Sequence, residues 1–270
     1  MEKRPSGNRF IHTNFVVIHM GWLTDAHIHL TDDEFKAELP YTLTAMEKMK
    51  MRACCVSMDY ASSKATLELG EKSPLVLPFL GIHPEKANDE LEPVEDLIMN
   101  NSNRISGIGE IGLDRTYVSD EQGFSRQVNV FEKMLSLAEK LKKPVSIHSR
   151  RTLEEIFSIL PSYRIGGVLL HWFAGNKKQL QKAMDMGCYV SYGPAMIYSQ
   201  DKQVLLSQTE LSRILLETDG PVRFSKCFGY KAAQITFLPS VLFCAAHTLD
   251  KKYDEMLEIV EKYSNSYLGV

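Results

Sequence analysis

Short apolar runs alternate with amphipathic stretches along most of the chain, and this alternation predicts its secondary structure. The apolar runs have the length of buried strands, and the stretches between them carry apolar residues at helical spacing. The predicted strands cover 22–28, 53–58, 75–80, 105–111, 144–148, 167–171, 188–191 and 213–217. The predicted helices cover 41–51, 63–71, 94–99, 122–141, 152–160, 177–186 and 201–211, followed by a helical tail over 232–267.

Strands that alternate with helices in this way are typical of α/β proteins with a parallel sheet. Roughly eight such units in 270 residues predict a TIM (β/α)8 barrel, and a doubly wound open sheet is the structural alternative. No linker-like or low-complexity segment interrupts residues 20–270, so we expect a single domain there. Residues 1–19 have no useful period and are expected to form a loosely ordered extension, whose apolar run is too short to span a membrane.

Composition limits what the predicted barrel can do. The chain is 44% hydrophobic and 24% charged, which is typical of a soluble globular protein. A formal net charge of −3 gives no general basic surface, so any contact with nucleic acid must come from a local patch. The five cysteines include the neighbours Cys54 and Cys55 but no Cys-x-x-Cys pair, so we expect no disulfide framework and a cytoplasmic location.

The first predicted strand ends in two histidines, and this is the strongest chemical signal in the chain. Residues i and i+2 of a strand project to the same side, so His27 and His29 are expected to face one point. Two imidazoles in that arrangement are suited to binding a cation. Asp25 has the same parity, and we expect its carboxylate to hold a histidine ring N–H behind the ligands.

Further histidines and acids follow the later predicted strands. Because the carboxyl ends of barrel strands meet at one rim, these side chains are expected to converge on one active site. They are Glu110 on the fourth strand, His148 on the fifth, His171 on the sixth and Asp219 after the eighth. Apolar strands that each finish in a residue of this kind are difficult to explain by packing alone.

Four imidazoles and two carboxylates suit Zn²⁺ or Mn²⁺, or another borderline cation, better than an all-oxygen site. These ligands exceed what one catalytic zinc normally takes, so we expect two ions. One ion would be held by His27, His29 and Asp219, the other by His148 and His171, with Glu110 as the bridge. Two ions ~3.5–4 Å apart hold a hydroxide at neutral pH, and Asp219 would orient it and accept its proton. Hydrolysis is the predicted reaction class.

The motifs that carry these residues resemble the TatD family of metal-dependent deoxyribonucleases, in the same order and from Leu23 to Leu268. They are Asp25-x-His27-x-His29, Gly81-Ile82-His83-Pro84, Gly109-Glu110-Ile111-Gly112-Leu113-Asp114, His148-Ser149-Arg150, His171-x-Phe173-x-Gly175 and Glu217-Thr218-Asp219. The resemblance implies a TIM barrel with two divalent ions, among which zinc, magnesium and manganese are the candidates. It also implies hydrolysis of phosphodiester bonds from the 3′ end of single-stranded DNA. The implied ligands fall on the residues already assigned, and His83 resembles the family's phosphate-contacting histidine.

Substrate contacts are expected from basic residues that follow strand ends. Besides His83, these are Arg115, Arg150, Arg223 and Lys226, while Glu217 is expected to hold a ligand or a basic side chain from behind. The chain departs from the family pattern at Glu85, at 115–117 and in the loop 222–230. Loops at this rim select the substrate, whereas the metal ligands set the chemistry.

Two other functions stay open at this point. One is a binuclear amidohydrolase acting on a small ester, amide or phosphoester; that superfamily commonly bridges its metals with a carbamylated lysine, whereas this chain offers Glu110 and His148. The other is a non-catalytic metal or nucleic-acid binding protein, against which the intact ligand set argues. No membrane contact and no obligate protein partner is expected, and the chain is predicted to be a monomer or a weak oligomer.

Overall fold

Eight parallel strands form one sheet in the computed structural model, which describes residues 21–270. The predicted extension over 1–19 lies outside the described residues. The strands pair in chain order, as expected of a barrel in which each strand is followed by a helix on the outside. They are β1 (Leu23–Ile28), β2 (Met51–Val56), β3 (Val76–Leu80), β4 (Gly107–Asp114), β5 (Val145–Arg150), β6 (Val168–Leu170), β7 (Tyr189–Tyr192) and β8 (Ile214–Leu216).

The helices lie between successive strands, and two of them follow β8. They are α1 (Leu39–Lys48), α2 (Tyr60–Lys72), α3 (Glu92–Asn100), α4 (Glu121–Leu141), α5 (Leu153–Ile159), α6 (Lys177–Asp185), α7 (Gln200–Gln208), α8 (Leu238–Thr248) and α9 (Tyr253–Leu268). The tail predicted as helical over 232–267 is therefore two helices, with a turn at Asp250, whose φ is +49°. Within residues 21–270, no helix combines the length and apolarity needed to cross a bilayer.

The ring closes just past the end of β8. The backbone N–H of Asp219 donates to the His27 carbonyl at 3.0 Å, and the N–H of His29 donates to the Gly220 carbonyl at 2.8 Å. These bonds bring the segment after β8 against the end of β1. The predicted TIM barrel is confirmed, and the open-sheet alternative is excluded by this closure.

Two hydrophobic clusters occupy the two faces of the sheet. The larger one lies between the strands and the surrounding helices and includes Cys55, whereas Cys54 belongs to a smaller cluster drawn from six strands and Tyr267 of α9. The neighbouring cysteines thus diverge, as expected in a strand, and Cys54 faces the barrel interior. The Tyr267 hydroxyl donates to the carbonyl of Val145, the first residue of β5, at 3.1 Å. The interior is therefore a packed core, and the opposite end of the barrel is left for the polar site.

Candidate metal centre

The carboxylate of Glu110 lies at the centre of the predicted ligands. Its Oε1 is 2.9 Å from Nδ1 of His148 and 2.9 Å from Nε2 of His171. Its Oε2 is 3.3 Å from Nε2 of His29 and 3.5 Å from Nε2 of His27. One oxygen of the carboxylate therefore faces the histidines on β5 and just after β6, and the other faces the two histidines at the end of β1.

Asp219 and His83 complete the cluster on opposite sides. Asp219 Oδ1 lies 3.7 Å from His27 Nε2 and 3.9 Å from His29 Nε2. His83 Nε2 lies 3.5 Å from Glu110 Oε1, so it is near the ligands as well as in the position predicted to contact phosphate. Three overlapping groups have ligand atoms close enough to hold an ion: His27, His171 and Asp219; His27, His29 and Glu110; and His83, Glu110 and His148.

The backbone differs from the prediction that every ligand ends its strand. β4 continues to Asp114, so Glu110 lies in the middle of a fully buried strand, and β8 stops at Leu216, before Asp219. Asp219 has φ +52°, in the left-handed region, at the turn that returns to β1. Gly112 has φ +147°, and a Cβ there would lie 2.1 Å from the His148 carbonyl oxygen. This glycine therefore allows β4 and β5 to approach closely beside the cluster.

Two buried ring nitrogens indicate whether the cluster fits a cation. Nδ1 of His27 is 2.8 Å from the Ser146 hydroxyl, whereas its Nε2, aimed at the cluster, has no hydrogen-bond partner among the described residues. Nδ1 of His171 is also unpartnered there, at 3.8 Å from Glu217 Oε2. A buried polar atom without a partner is costly, and a bound cation would satisfy the His27 nitrogen directly. The residues present therefore fit divalent metal ions.

Electrostatics support the same conclusion. Burial lowers the pKa of His27 and of His171, so both rings are neutral and ready to act as ligands. Burial, followed by the negative charges of Glu217, Glu110 and Asp25, raises the pKa of Asp219 well above its usual range. This accumulation of buried acids without a compensating cation is the condition that a divalent ion relieves.

Asp114 is a residue of the site that sequence reasoning did not assign. Its Oδ2 lies 2.8 Å from Nε2 of His148, and its Oδ1 accepts hydrogen bonds from the N–H and the hydroxyl of Thr116 at 2.7 and 2.6 Å. Its backbone is held by the buried Gln127 of α4. Although burial lowers the pKa of His148, its bonds to Asp114 and Glu110 raise the pKa to about 9. The sequence signal that could have identified Asp114 is its position four residues after Glu110, which places both side chains on the same side of one strand.

Asp25 and Glu217 lie behind the ligands, but the contact predicted for Asp25 is wrong. The Asp25 carboxylate accepts hydrogen bonds from the N–H of His27 at 3.2 Å and from the N–H and hydroxyl of Thr218 at 3.1 and 2.5 Å. The pairing of β1 with β2 shifts register between Asp25 and Ile28, and the Ser146 hydroxyl contacts the His27 ring instead. Glu217 accepts hydrogen bonds from the Ser191 hydroxyl and the backbone N–H of Trp172.

A cavity of about 680 Å³ opens over the cluster. Arg150 lines it, together with Tyr117 and Trp172, and no ion pair within residues 21–270 involves Arg150. The structure does not bring Arg115 into the cavity, because its guanidinium binds Glu155 and Glu121 and stacks on the Phe124 ring. Arg223 and Lys226 lie outside the lining as well: Arg223 pairs with Glu34, and the Lys226 ammonium is 5.9 Å from the Tyr198 ring.

A barrel with a histidine–carboxylate centre of this kind is typical of metal-dependent hydrolases. Residues 24–269 match the family model described as TatD related DNase. Deoxyribonuclease TATDN3 of Homo sapiens is 29% identical over 213 residues, which are 74% of this chain and 78% of that protein. MJ1582 of Methanocaldococcus jannaschii, named an uncharacterized metal-dependent hydrolase, is 31% identical over 200 residues, which are 73% of this chain and 78% of that protein.

The solved structure of the TatD homologue YjjV from Escherichia coli has the same fold. It superimposes with a TM-score of 0.84 at 22% identity, covering 93% of this chain and 99% of that one. The chain belongs to the TatD family, and it is a metal-dependent hydrolase of that family. The resemblance stated from the sequence motifs is therefore confirmed.

Proposed function

We propose that this chain hydrolyses phosphodiester bonds at the 3′ end of single-stranded DNA, with two divalent ions as cofactors. His27, His29 and Asp219 would hold one ion, His148 and His171 the other, and Glu110 would bridge them. Bound in this way, the ions would supply Lewis acidity towards the phosphate and an activated water at neutral pH. Zinc, manganese and magnesium remain the candidate metals.

The position of Glu110 carries the two-metal proposal. Its Oε1 lies 2.9 Å from nitrogens of His148 and His171, with His83 Nε2 at 3.5 Å, whereas its Oε2 lies 3.3 and 3.5 Å from those of His29 and His27. A carboxylate that served a single ion would not need histidines beyond both of its oxygens. This arrangement supports a bridging role better than a role as the ligand of one ion.

The chain's own residues would divide the remaining work. Asp219 is the acid best placed to accept a proton from the attacking water, because its Oδ1 lies 3.7 Å from Nε2 of His27 and 3.9 Å from Nε2 of His29, at the edge of the cluster. Arg150 faces the cavity and would contact a phosphate oxygen with its guanidinium, and His83 would contact the same group. The rim cations Arg223 and Lys226 would act farther along the strand. DNA as the substrate is supported by the family description and by the name of the human relative.

A comparison of two carboxylate-to-amide variants tests the metal count. Glu110→Gln should lower the bound metal towards one ion per chain and remove most activity, because the amide nitrogen cannot act as a bridging ligand. Glu85→Gln makes the same chemical change at an exposed residue beside the site and should leave two ions bound. Inductively coupled plasma mass spectrometry of dialysed protein measures both. Two ions and a normal rate in the Glu110 variant would refute the bridge.

A substrate panel tests the reaction. Single-stranded oligonucleotides labelled at the 5′ end should give a ladder that shortens one nucleotide at a time, since the label marks the end that is not attacked. Bis-p-nitrophenyl phosphate and a cyclic amide are assayed in parallel, with Asp219→Asn as the inactive control. Turnover of the cyclic amide without cleavage of DNA would favour the amidohydrolase alternative instead.

We also infer a cytoplasmic location and action as a monomer or weak oligomer. The location is supported by the cysteines, all five of which are free thiols, with Cys54, Cys55 and Cys188 buried. Size-exclusion chromatography with light scattering measures the oligomeric state. A stable tetramer would contradict the inference.

A further inference from the structure

Trp172 forms an apolar wall of the cavity directly beside the metal cluster. It follows His171 in the chain, is half-buried and lines the same cavity as the cluster. Ala174, Pro221 and Val222 add further apolar lining to the same cavity. A phosphate group and its metal ions have no use for an apolar surface of this kind, so the wall indicates that the substrate carries an apolar part next to its phosphate.

Trp172 is held in place from three directions. Its φ of +41° lies in the left-handed region, which is a rare conformation for a bulky residue and persists only where the surroundings impose it. Its backbone N–H donates to Glu217 Oε1 at 2.8 Å and to the Ser191 hydroxyl at 3.1 Å. The indole packs on the Phe224 ring, with centroids 5.3 Å apart and planes tilted by 39°. The ring is thus positioned before any ligand arrives.

The charges around the cavity specify what the apolar part is attached to. Arg150 lines the cavity and belongs to none of the ion pairs of residues 21–270, so its guanidinium is available to an anion. The buried histidines and acids that could bind cations form the floor of this cavity. A nucleotide with its base exposed presents a phosphate to the floor of the cavity and a flat apolar surface to the wall, and the family description as a DNase favours it over other phosphoesters.

We propose that Trp172 stacks on the base of the nucleotide whose phosphate lies at the metal cluster, and so makes the site select unpaired strands. This inference rests on the proposed function and adds a specificity-determining residue to it. In a duplex a base is covered by its neighbours and held in plane by its pairing partner, so it cannot turn onto the indole, whereas an unpaired base is free to do so. Stacking tolerates every base, because each has a flat aromatic face. The subsite therefore selects single strands without selecting sequence.

The chain allows a direct optical test, because it contains two tryptophans, Trp22 and Trp172. Trp22 precedes β1 at the far end of the barrel, where its backbone N–H donates to Glu261, so Trp22→Phe leaves the cavity untouched. In that variant all tryptophan fluorescence comes from Trp172. We expect a hydrolysis-resistant phosphorothioate oligothymidylate, added to the metal-loaded protein, to quench it saturably. An oligonucleotide of the same length with an abasic 3′ nucleotide should quench less and bind about fivefold to 100-fold more weakly.

Two substitutions separate stacking from a merely structural role. In otherwise natural protein, Trp172→Phe keeps an aromatic face, and Trp172→Leu keeps apolar bulk without one. The leucine variant should lose the preference for the base-containing oligonucleotide over the abasic one, and the phenylalanine variant should retain most of it. The metal content of the two variants should be equal, because Trp172 is not one of the proposed ligands.

The outcomes distinguish this inference from the proposed function. Equal binding of abasic and base-containing strands by the natural protein, with DNA cleavage intact, would overturn the stacking role and leave the nuclease standing. An affinity for the base-containing strand that is unaffected by Trp172→Leu would overturn it too. Failure to cleave any phosphodiester would instead refute the proposed nuclease function, whatever the fluorescence shows.

Discussion

Substitution of Asp114 by asparagine should weaken metal binding without touching a proposed ligand. In the metal-loaded protein the carboxylate would accept from Nε2 of His148, which leaves the lone pair on Nδ1, the nitrogen that faces Glu110 and the cluster. In Asp114→Asn, the new side chain can keep its oxygen on Thr116 only by turning its NH₂ towards Nε2. That orientation moves the ring proton to Nδ1, and a protonated nitrogen cannot bind a cation.

The alternative orientation of the amide preserves the tautomer at a cost that the structure defines. If the amide oxygen stays on Nε2–H of His148, the NH₂ group faces the N–H and hydroxyl of Thr116, which now bond the carboxylate at 2.7 and 2.6 Å. Losing those bonds costs about 1–2 kcal/mol, because Thr116 is exposed and water replaces part of them. Metal affinity should therefore fall about tenfold, at the lower end of the 10–100-fold range for groups behind a ligand.

Competitive titration of Zn²⁺ against a chromophoric chelator measures this affinity, and ¹⁵N-histidine spectra of the zinc form report the tautomer. Thr116→Val is the matched control, because it removes one hydroxyl contact and leaves the carboxylate on His148. We expect it to change the affinity by no more than about twofold. Unchanged zinc affinity in Asp114→Asn, with the proton still on Nε2, would show that Asp114 does not orient the ring.

Three further substitutions test separate parts of the site. Asp219→Asn should lower kcat by about 10²–10⁴-fold with little change in KM, because it removes a proton acceptor; a change in KM alone would exclude that role. Arg150→Ala should reduce the salt dependence of DNA binding by about one phosphate contact, and Arg223→Ala by less; equal slopes would place the DNA path elsewhere. Gly112→Ala should destabilise the fold by roughly 3 kcal/mol in urea, because its Cβ would overlap a β5 carbonyl, whereas Gly166→Ala, in open space, should cost under about 0.5 kcal/mol.

The barrel was predictable because its strands are buried on both faces. Such strands give nearly continuous apolar runs, which the sequence displays between helical stretches. β4 shows where this reasoning fails, since the prediction covers 105–111 and the strand is Gly107–Asp114. The prediction treats Glu110 as lying at the polar end of the strand and does not extend the strand to Asp114. All eight residues of β4 are buried, because these acids face the cluster rather than solvent, so the strand continues past the predicted end.

Residue types at strand ends predicted which groups would converge, but not how each is held. His27 meets Ser146 across 119 positions of sequence, and no local pattern indicates such a pairing. The sequence likewise did not predict which basic residues would have acidic partners. Arg115 follows a strand in the same way as Arg150, yet Glu155, 40 positions away, takes its guanidinium away from the cavity. Partners that are distant in sequence decide whether a charge is available to a substrate.

The proposed metal ligands and the proposed substrate contacts lie on different parts of this barrel. The proposed ligands stand on β1, β4, β5 and the turns just after β1, β6 and β8, where paired backbone fixes their positions. The residues of the cavity wall lie on loops. Val222 belongs to the loop 222–230, which departs from the family pattern, and Pro221 directly precedes it. Loops of this kind change without disturbing the strands below them. Family membership therefore accounts for the proposed hydrolytic centre, whereas we expect the identity of the substrate to depend on the wall that includes Trp172, and it has to be measured in this chain.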